Sequence, residues 1–258
     1  GGRRDPVGRR RVTSLAGRTV LVTRPEAEAA ELARALRARG ARAIVAPAIE
    51  IVPTRAAALG RALDDLAEGA FAWITLTSPR TVGVLANRLR PRDVRASVAA
   101  VGEGTATAFR RWARRDPDLV PATFTTAGLA RAFPRGDGRV LCPRADIAPD
   151  GLEDRLAAKG WIPLRVTAYR TRMPRSLPAE ARLALRHGEV DAITLTSASA
   201  VRGFVGALGA VKGNPKVACI GPVTAREARA HGLVVHAVAN PHTIPGLVAA
   251  VERALRPR

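Results

Sequence analysis

The chain has 258 residues, 47% of them hydrophobic, and carries 42 Lys or Arg against 22 Asp or Glu for a formal net charge of +20. That length suits two domains of roughly 100–150 residues with buried cores, and no run reaches the ~18 apolar residues of a membrane span. Two cysteines, Cys142 and Cys219, are too far apart for a local metal-ligand pair and point to a reduced, cytoplasmic protein. The charge alone does not indicate nucleic acid. Only Lys159, Lys212 and Lys216 are lysines, and beyond residue 18 the arginines alternate with acids along helix faces, as at Glu31 and Arg34. A basic arm at 1–16, expected to be disordered, keeps nucleic-acid binding as a minor reading, testable by salt-dependent DNA affinity.

From Thr19, Val20-Leu21-Val22 reads as a strand, followed by a helix with Ala29, Leu32, Ala33 and Leu36 on one face and a stop at Gly40. Ala43 to Ala46 is a second strand. Pro47-Ala-Ile49-Glu-Ile51-Val-Pro53 alternates between prolines, as an exposed ribbon does. A helix near 57–68 precedes alternating strands and helices: Ala72 to Thr77, Thr81 to Arg90, Ser97 to Val101 and Thr105 to Arg115. A weaker strand, Asp118 to Ala122, and a short helix, Thr126 to Phe133, lead to Val140–Pro143 and a helix from about Pro149 to Lys159. Leu164 to Arg172 again alternates and ends at Pro174, matching the first ribbon as an antiparallel partner. Strands at Asp191 to Thr196, Lys216 to Ile220 and Val234 to Val238, and a helix over Pro245 to Leu255, complete the order.

This order contains a duplication. Ile-Thr-Leu-Thr-Ser occurs at Ile74–Ser78 and at Ile193–Ser197, an offset of 119. Val98–Gly102 and Thr105 recur as Val217–Gly221 and Thr224 at the same offset. Val20-Leu21, Arg24 and Gly40 recur as Val140-Leu141, Arg144 and Gly160 at 120. Four blocks in one order indicate a repeated α/β unit, and alternating strands and helices imply parallel sheets covered on both faces. Because the ribbons lie inside the repeats, we expect residues 17–47 plus 174–258 to form a discontinuous domain. Residues 54–164 would form an inserted one, with 48–53 and 165–173 as the linking ribbon.

Val20-Leu-Val-Thr-Arg-Pro25, the Pro-x-Ile-x-Ile-x-Pro ribbon, Thr75-Leu-Thr-Ser-Pro79, Val101-Gly-Glu-Gly-Thr105, Tyr169, Thr196-Ser-Ala-Ser199 and Ile220-Gly-Pro-Val-Thr-Ala225 together resemble the uroporphyrinogen-III synthase family over about residues 17–256. The resemblance implies two flavodoxin-like domains joined by a two-stranded antiparallel ribbon, an active site in the cleft between them, and no cofactor or metal. It implies cyclisation of hydroxymethylbilane, a linear tetrapyrrole, to uroporphyrinogen III with inversion of the last ring. The expected protein is a monomer that meets the preceding pathway enzyme transiently and binds neither nucleic acid nor membrane. Family members are sometimes fused to a uroporphyrinogen methyltransferase, which suits a chain starting at Gly1. The runner-up is a non-catalytic two-domain module of the same fold that binds an anion or tetrapyrrole.

Thr77, Ser78, Gly102, Thr105, Ser197, Gly221 and Thr224 occupy strand-to-helix turns, where free backbone N–H groups and hydroxyls receive anions. The same hydroxyls serve equally as helix caps. The implied substrate carries an acetate and a propionate on each ring, and a dispersed set of such donors fits it. Arg24 and Arg144, equivalent by the repeat, would add charge at the cleft rim. Tyr169, the only tyrosine, is the candidate general acid, a phenol with a proton to give to the departing hydroxyl; packing in the ribbon is the alternative. Gly102-x-Gly104 lacks a third glycine for a dinucleotide site, and His187, His231, His236 and His242 have no metal-ligand spacing.

Overall fold

The computed structural model describes residues 14–256. They fall into two compact units, one formed by the chain up to Glu50 and from Arg172 onward, the other by Ile51–Thr171. Elements are numbered along the chain.

The first unit contains β1 (Thr19–Val22), α1 (Glu26–Arg37), β2 (Arg42–Val45), α7 (Ala179–His187), β8 (Ala192–Leu195), α8 (Ala198–Ala207), β9 (Lys216–Cys219), α9 (Pro222–Ala230), β10 (Val235–Val238) and α10 (Ile244–Leu255). Its five strands are parallel, in the order β10-β9-β8-β1-β2. Strand side chains alternate, so one sheet supplies two cores. Leu21, Ile193 and Val217 pack on one face. Val20, Val22, Ala192 and Ala218 pack on the other, against Leu32, Leu36, Leu247 and Val251 of α1 and α10. In α1 the buried residues Ala29, Leu32, Ala33 and Leu36 follow the helical period, with Glu26 and Glu28 in the first turn and Arg34 and Arg37 in the last, complementing the helix dipole.

The second unit contains β3 (Glu50–Pro53), α2 (Ala57–Glu68), β4 (Trp73–Leu76), α3 (Pro79–Ala86), β5 (Ser97–Ala100), α4 (Glu103–Ala113), α5 (Thr126–Ala132), β6 (Arg139–Ala145), α6 (Leu152–Ala157) and β7 (Ile162–Arg172). The sheet order is β3-β7-β6-β4-β5, with β4–β5, β4–β6 and β6–β7 parallel.

The repeat equates β6, β7, β4 and β5 with β1, β2, β8 and β9. Both sheets therefore have one order, β2-β1-β8-β9 in the first unit and β7-β6-β4-β5 in the second, which is the flavodoxin-like 2-1-3-4 arrangement. The two-domain parallel α/β fold is thus the expected one. The sequence repeats are nevertheless not the structural units. Each sheet joins the first two strands of one repeat to the later strands of the other.

Several local expectations are corrected. The strand at Asp118 to Ala122, counterpart of β10, shrinks to a single parallel bridge between Leu119 and Ala99. Pro117 and Pro121 flank it and supply no ladder N–H. The helix expected from Pro149 begins only at Leu152. The segment expected to become a linker at 165 lies in β7, which pairs with β6 from Arg139↔Ile162 to Ala145↔Tyr169 with one register irregularity near its end. β3, the other ribbon segment, is its neighbour at the sheet edge. Of the arm expected at 1–16, residues 1–13 lie outside the described residues. Its end belongs to the fold: Leu15 is fully buried, its N–H donates to Arg39 O at 2.9 Å, and its burial contributes roughly 1.5–3 kcal/mol. Among the described residues no helix is long and apolar enough to cross a membrane.

Candidate functional site

In a 2-1-3-4 sheet the ligand crevice opens at the carboxyl ends of strands 1 and 3, where the winding direction reverses. Those strands are β1 and β8 in the first unit and β6 and β4 in the second. The expected site residues lie at these ends or one strand further along, so sequence and topology select the same edges.

In the first unit the switch-point strands are cross-bonded. Thr23 Oγ1 donates to Thr194 O at 2.7 Å and Thr194 Oγ1 donates to Leu21 O at 2.8 Å. The second unit departs from this. Pro143 stands where the repeat has Thr23, and the buried hydroxyl of Thr75, the counterpart of Thr194, is set beside the Cys142 thiol and not bonded to a β6 carbonyl. β4 and β6 are in register only at Trp73↔Val140 and Ile74↔Leu141, against three positions for β1 and β8.

Ser78 and Ser197 cap α3 and α8, accepting N–H bonds from Arg80 and Ala200, each at 3.1 Å. A capping hydroxyl accepts through its oxygen and keeps its own proton to donate, so capping leaves a donor for a carboxylate. Ser197 also lies 3.1 Å from the Ser199 hydroxyl. Thr77, like both serines, is half-buried. Thr105 and Thr224, third residues of α4 and α9, are each only 4% exposed. Their side chains are part of the interior, so neither hydroxyl faces outward from the start of α4 or α9. α3, α8 and α9 have no acid in the first turn, whereas α4 begins with Glu103. Hydrogen bonds from Arg110 and then Thr107 hold the Glu103 carboxyl below its usual range, so a fixed negative charge occupies that start.

Gly102 and Gly221 cap α4 and α9 with extended backbone that any residue adopts. What restricts Gly102 is a neighbour: a Cβ there would meet Phe124 at 2.9 Å. Phe124 is 59% exposed. At Gly221 the His242 ring stands at an ordinary 3.6 Å. Each ring immediately precedes a capping threonine, Thr125 or Thr243, whose hydroxyl accepts from Gly128 or Gly246. This is a further block of the repeat, at an offset of 118. The differing rings hide it in the sequence, where its signal is Thr-x-x-Gly at 125–128 and again at 243–246.

The two arginines diverge. Arg24, just before α1, is partly exposed and donates to Glu28 in the first turn of that helix at 3.0 Å. Arg144 is not at a rim: it is 1% exposed, donating to Glu153 at 2.8 Å and to Pro149 O at 3.1 Å, with Nε unbonded. The interior takes it in because Glu153, in the first turn of α6, neutralises it there.

Tyr169 is 5% exposed and lies on β7 opposite Ala145, just past a register irregularity. Thr167 pairs with Arg144 and Tyr169 with Ala145, leaving Ala168 as the extra residue of a bulge. Among the described residues no group of three or more His, Cys, Asp or Glu is placed to hold a metal ion.

The family model described as uroporphyrinogen-III synthase HemD matches residues 30–249. A protein of Synechococcus elongatus named uroporphyrinogen-III synthase is 30% identical over 256 residues, covering 93% of this chain and 96% of its own. The crystal structure of a mutant uroporphyrinogen III synthase from the extreme thermophile Thermus thermophilus superposes with a TM-score of 0.66 at 23% identity, covering 92% of this chain and 98% of that one. The Helicobacter pylori uroporphyrinogen-III synthetase structure gives 0.60 at 15% identity, covering 93% and 99%. At these identities the two structures establish the fold.

Proposed function

The chain belongs to the uroporphyrinogen-III synthase family, and we propose that it cyclises hydroxymethylbilane to uroporphyrinogen III, inverting the last pyrrole ring with net loss of water. The observation that carries this reading is the doubled donor edge. Capped helix starts follow strand 3 of both sheets at Ser78 and Ser197, and N-cap glycines follow strand 4 at Gly102 and Gly221. Many modest N–H and O–H donors suit a substrate with a carboxylate pair on every ring.

The chemistry asks little else of the protein. The nitrogen of the hydroxymethyl-bearing ring expels hydroxide to give an azafulvene. The substituted carbon of the last ring attacks it, and the spiro intermediate breaks and re-forms a carbon–carbon bond. The ring proton lost on rearomatisation balances the hydroxide as water. The bilane also closes unaided to the non-inverted isomer I, so the enzyme's task is to select a folded geometry, and positioning supplies much of that. Tyr169 is the group assigned to protonate the departing hydroxyl. Its place near the carboxyl end of β7, just past the bulge, supports the assignment. The enzyme in this reading acts as a cytoplasmic monomer, with only transient contact to the preceding pathway enzyme.

The test supplies hydroxymethylbilane, oxidises the products and separates the isomers. Isomer III well above the no-protein control is expected; isomer I alone would leave only a binding module. Tyr169→Phe is expected to lower turnover about 100-fold or more while melting as the parent does, from the low end of the ~10²–10⁴-fold contribution of a general acid upward. Unchanged turnover removes Tyr169 from the mechanism.

A further inference from the structure

At the carboxyl edge of the second sheet the two repeats part company in residues 146–151. Their counterparts in the first unit, Glu26 to Glu31, are the first half of α1. Here α6 starts at Leu152 and the equivalent stretch is loop. Pro149 and Gly151 replace Ala29 and Glu31, and Gly151 is left-handed at φ +96°. A proline without an N–H followed by a left-handed residue cannot continue a helix.

The unwound segment is tied down. Arg144 reaches Pro149 O at 3.1 Å, and Arg165 reaches Ala148 O at 2.8 Å and the Asp150 carboxylate. Asp146 holds β7. Its N–H donates to Tyr169 O at 3.1 Å, and its Oδ1 accepts from Thr171 N at 2.9 Å and from Ile147 N at 2.9 Å. One residue thus grips the strand on both sides of Arg170, directly past the bulge at Ala168.

That location matters because of parity. In an unbroken strand Ala168 and Tyr169 would face opposite sides of the sheet. With the bulge both are buried, at 1% and 5% exposure. Losing the bulge would turn the phenol over, and β6 ends at Ala145, so its ladder does not extend to Thr171. We propose that Asp146 is a positioning residue for the synthase reaction, holding the bulged end of β7 so that Tyr169 is aimed at the substrate. This rests on the synthase reading and on Tyr169 as its proton donor.

A double-mutant cycle tests it in the full chain, with hydroxymethylbilane as substrate. Asp146→Ala is expected to lower kcat about 10-fold, the factor a lost hydrogen bond to a charged group carries, with KM within about twofold. It should also raise the fraction of isomer I. Asp146→Asn keeps an acceptor oxygen and should recover most of the loss. In a Tyr169→Phe background, Asp146→Ala should cost less than about twofold more, because coupled residues are not additive. Asp146→Ser, too short to reach the Thr171 amide, stands in if the alanine variant melts too low to assay. The proposal is overturned if Asp146→Ala keeps kcat within twofold, or if it costs the same factor with and without the phenol. Wild-type turnover in Tyr169→Phe alone overturns the Tyr169 assignment instead, and the absence of isomer III from the parent overturns the synthase reading.

Discussion

Removing the carboxylate of Glu153 should damage the second unit more than its position on a short helix suggests. Arg144 is 1% exposed, and Glu153 lies 2.8 Å from its Nη1. In Glu153→Ala the guanidinium would keep the bond to Pro149 O while its Nε still lacked a partner. Stripping one member from a buried ion pair costs about 3–5 kcal/mol, because the remaining charge stays desolvated. The Glu153 side chain is 15% exposed, so solvent screening puts the cost near the lower end, about 3 kcal/mol. A cooperative unit the size of Ile51–Thr171 loses about 3–5 °C of Tm per kcal/mol. Calorimetry should therefore show one transition falling by about 10 °C or more. Replacing both partners, Arg144→Met with Glu153→Leu, removes the stranded charge along with its counter-ion. It should leave stability within about 1 kcal/mol of the parent. A single variant melting within about 3 °C of the parent, or a double variant no better than the single, would refute the buried-charge argument.

The other expectations concern caps and thiols. Ser78→Ala and Ser197→Ala should each lose about 1 kcal/mol of stability through the vacated cap, measured by denaturant titration. Ser78→Asp keeps a cap and adds an anion, so stability should hold while KM rises about tenfold or more by repulsion of the substrate carboxylates. An unchanged KM would take Ser78 out of the binding set. Burial pushes the thiols of Cys142 and Cys219 up to about 11 from 9.0. Neither should react with a thiol reagent at pH 8 until the protein unfolds. The folded value is raised, so the unfolded chain releases these protons first; the stabilisation is complete below pH 9 and is lost as pH rises towards about 11. A Cys142→Ala, Cys219→Ala variant should lose stability less steeply over that window.

What could be read in the sequence was whatever local periodicity or the repeat encodes. Alternation in Val20-Leu21-Val22 and the 3.6-residue spacing of Leu32 and Leu36 set the elements and their buried faces. Hydroxyls at the ends of apolar runs marked the caps Ser78 and Ser197. The divergence between the repeats was less legible. Arg24 and Arg144 are one residue type at equivalent positions, yet one lies partly open along α1 and the other is interior, because only the second has Glu153 nine residues on in a displaced helix.

Periodicity and the internal repeat by themselves determined two parallel α/β sheets and the order of their elements, since strand and helix faces follow from contacts that repeat every two or four residues. Only the tertiary structure decided that Thr105 and Thr224 are interior, that Phe124 and His242 stand over the N-cap glycines, and that Asp146 grips β7 on either side of Arg170. Those outcomes depend on side chains about 20 to 25 residues apart meeting at a strand end. A bulge of one residue reverses which way Tyr169 points without changing the residue pattern from which the strand is read.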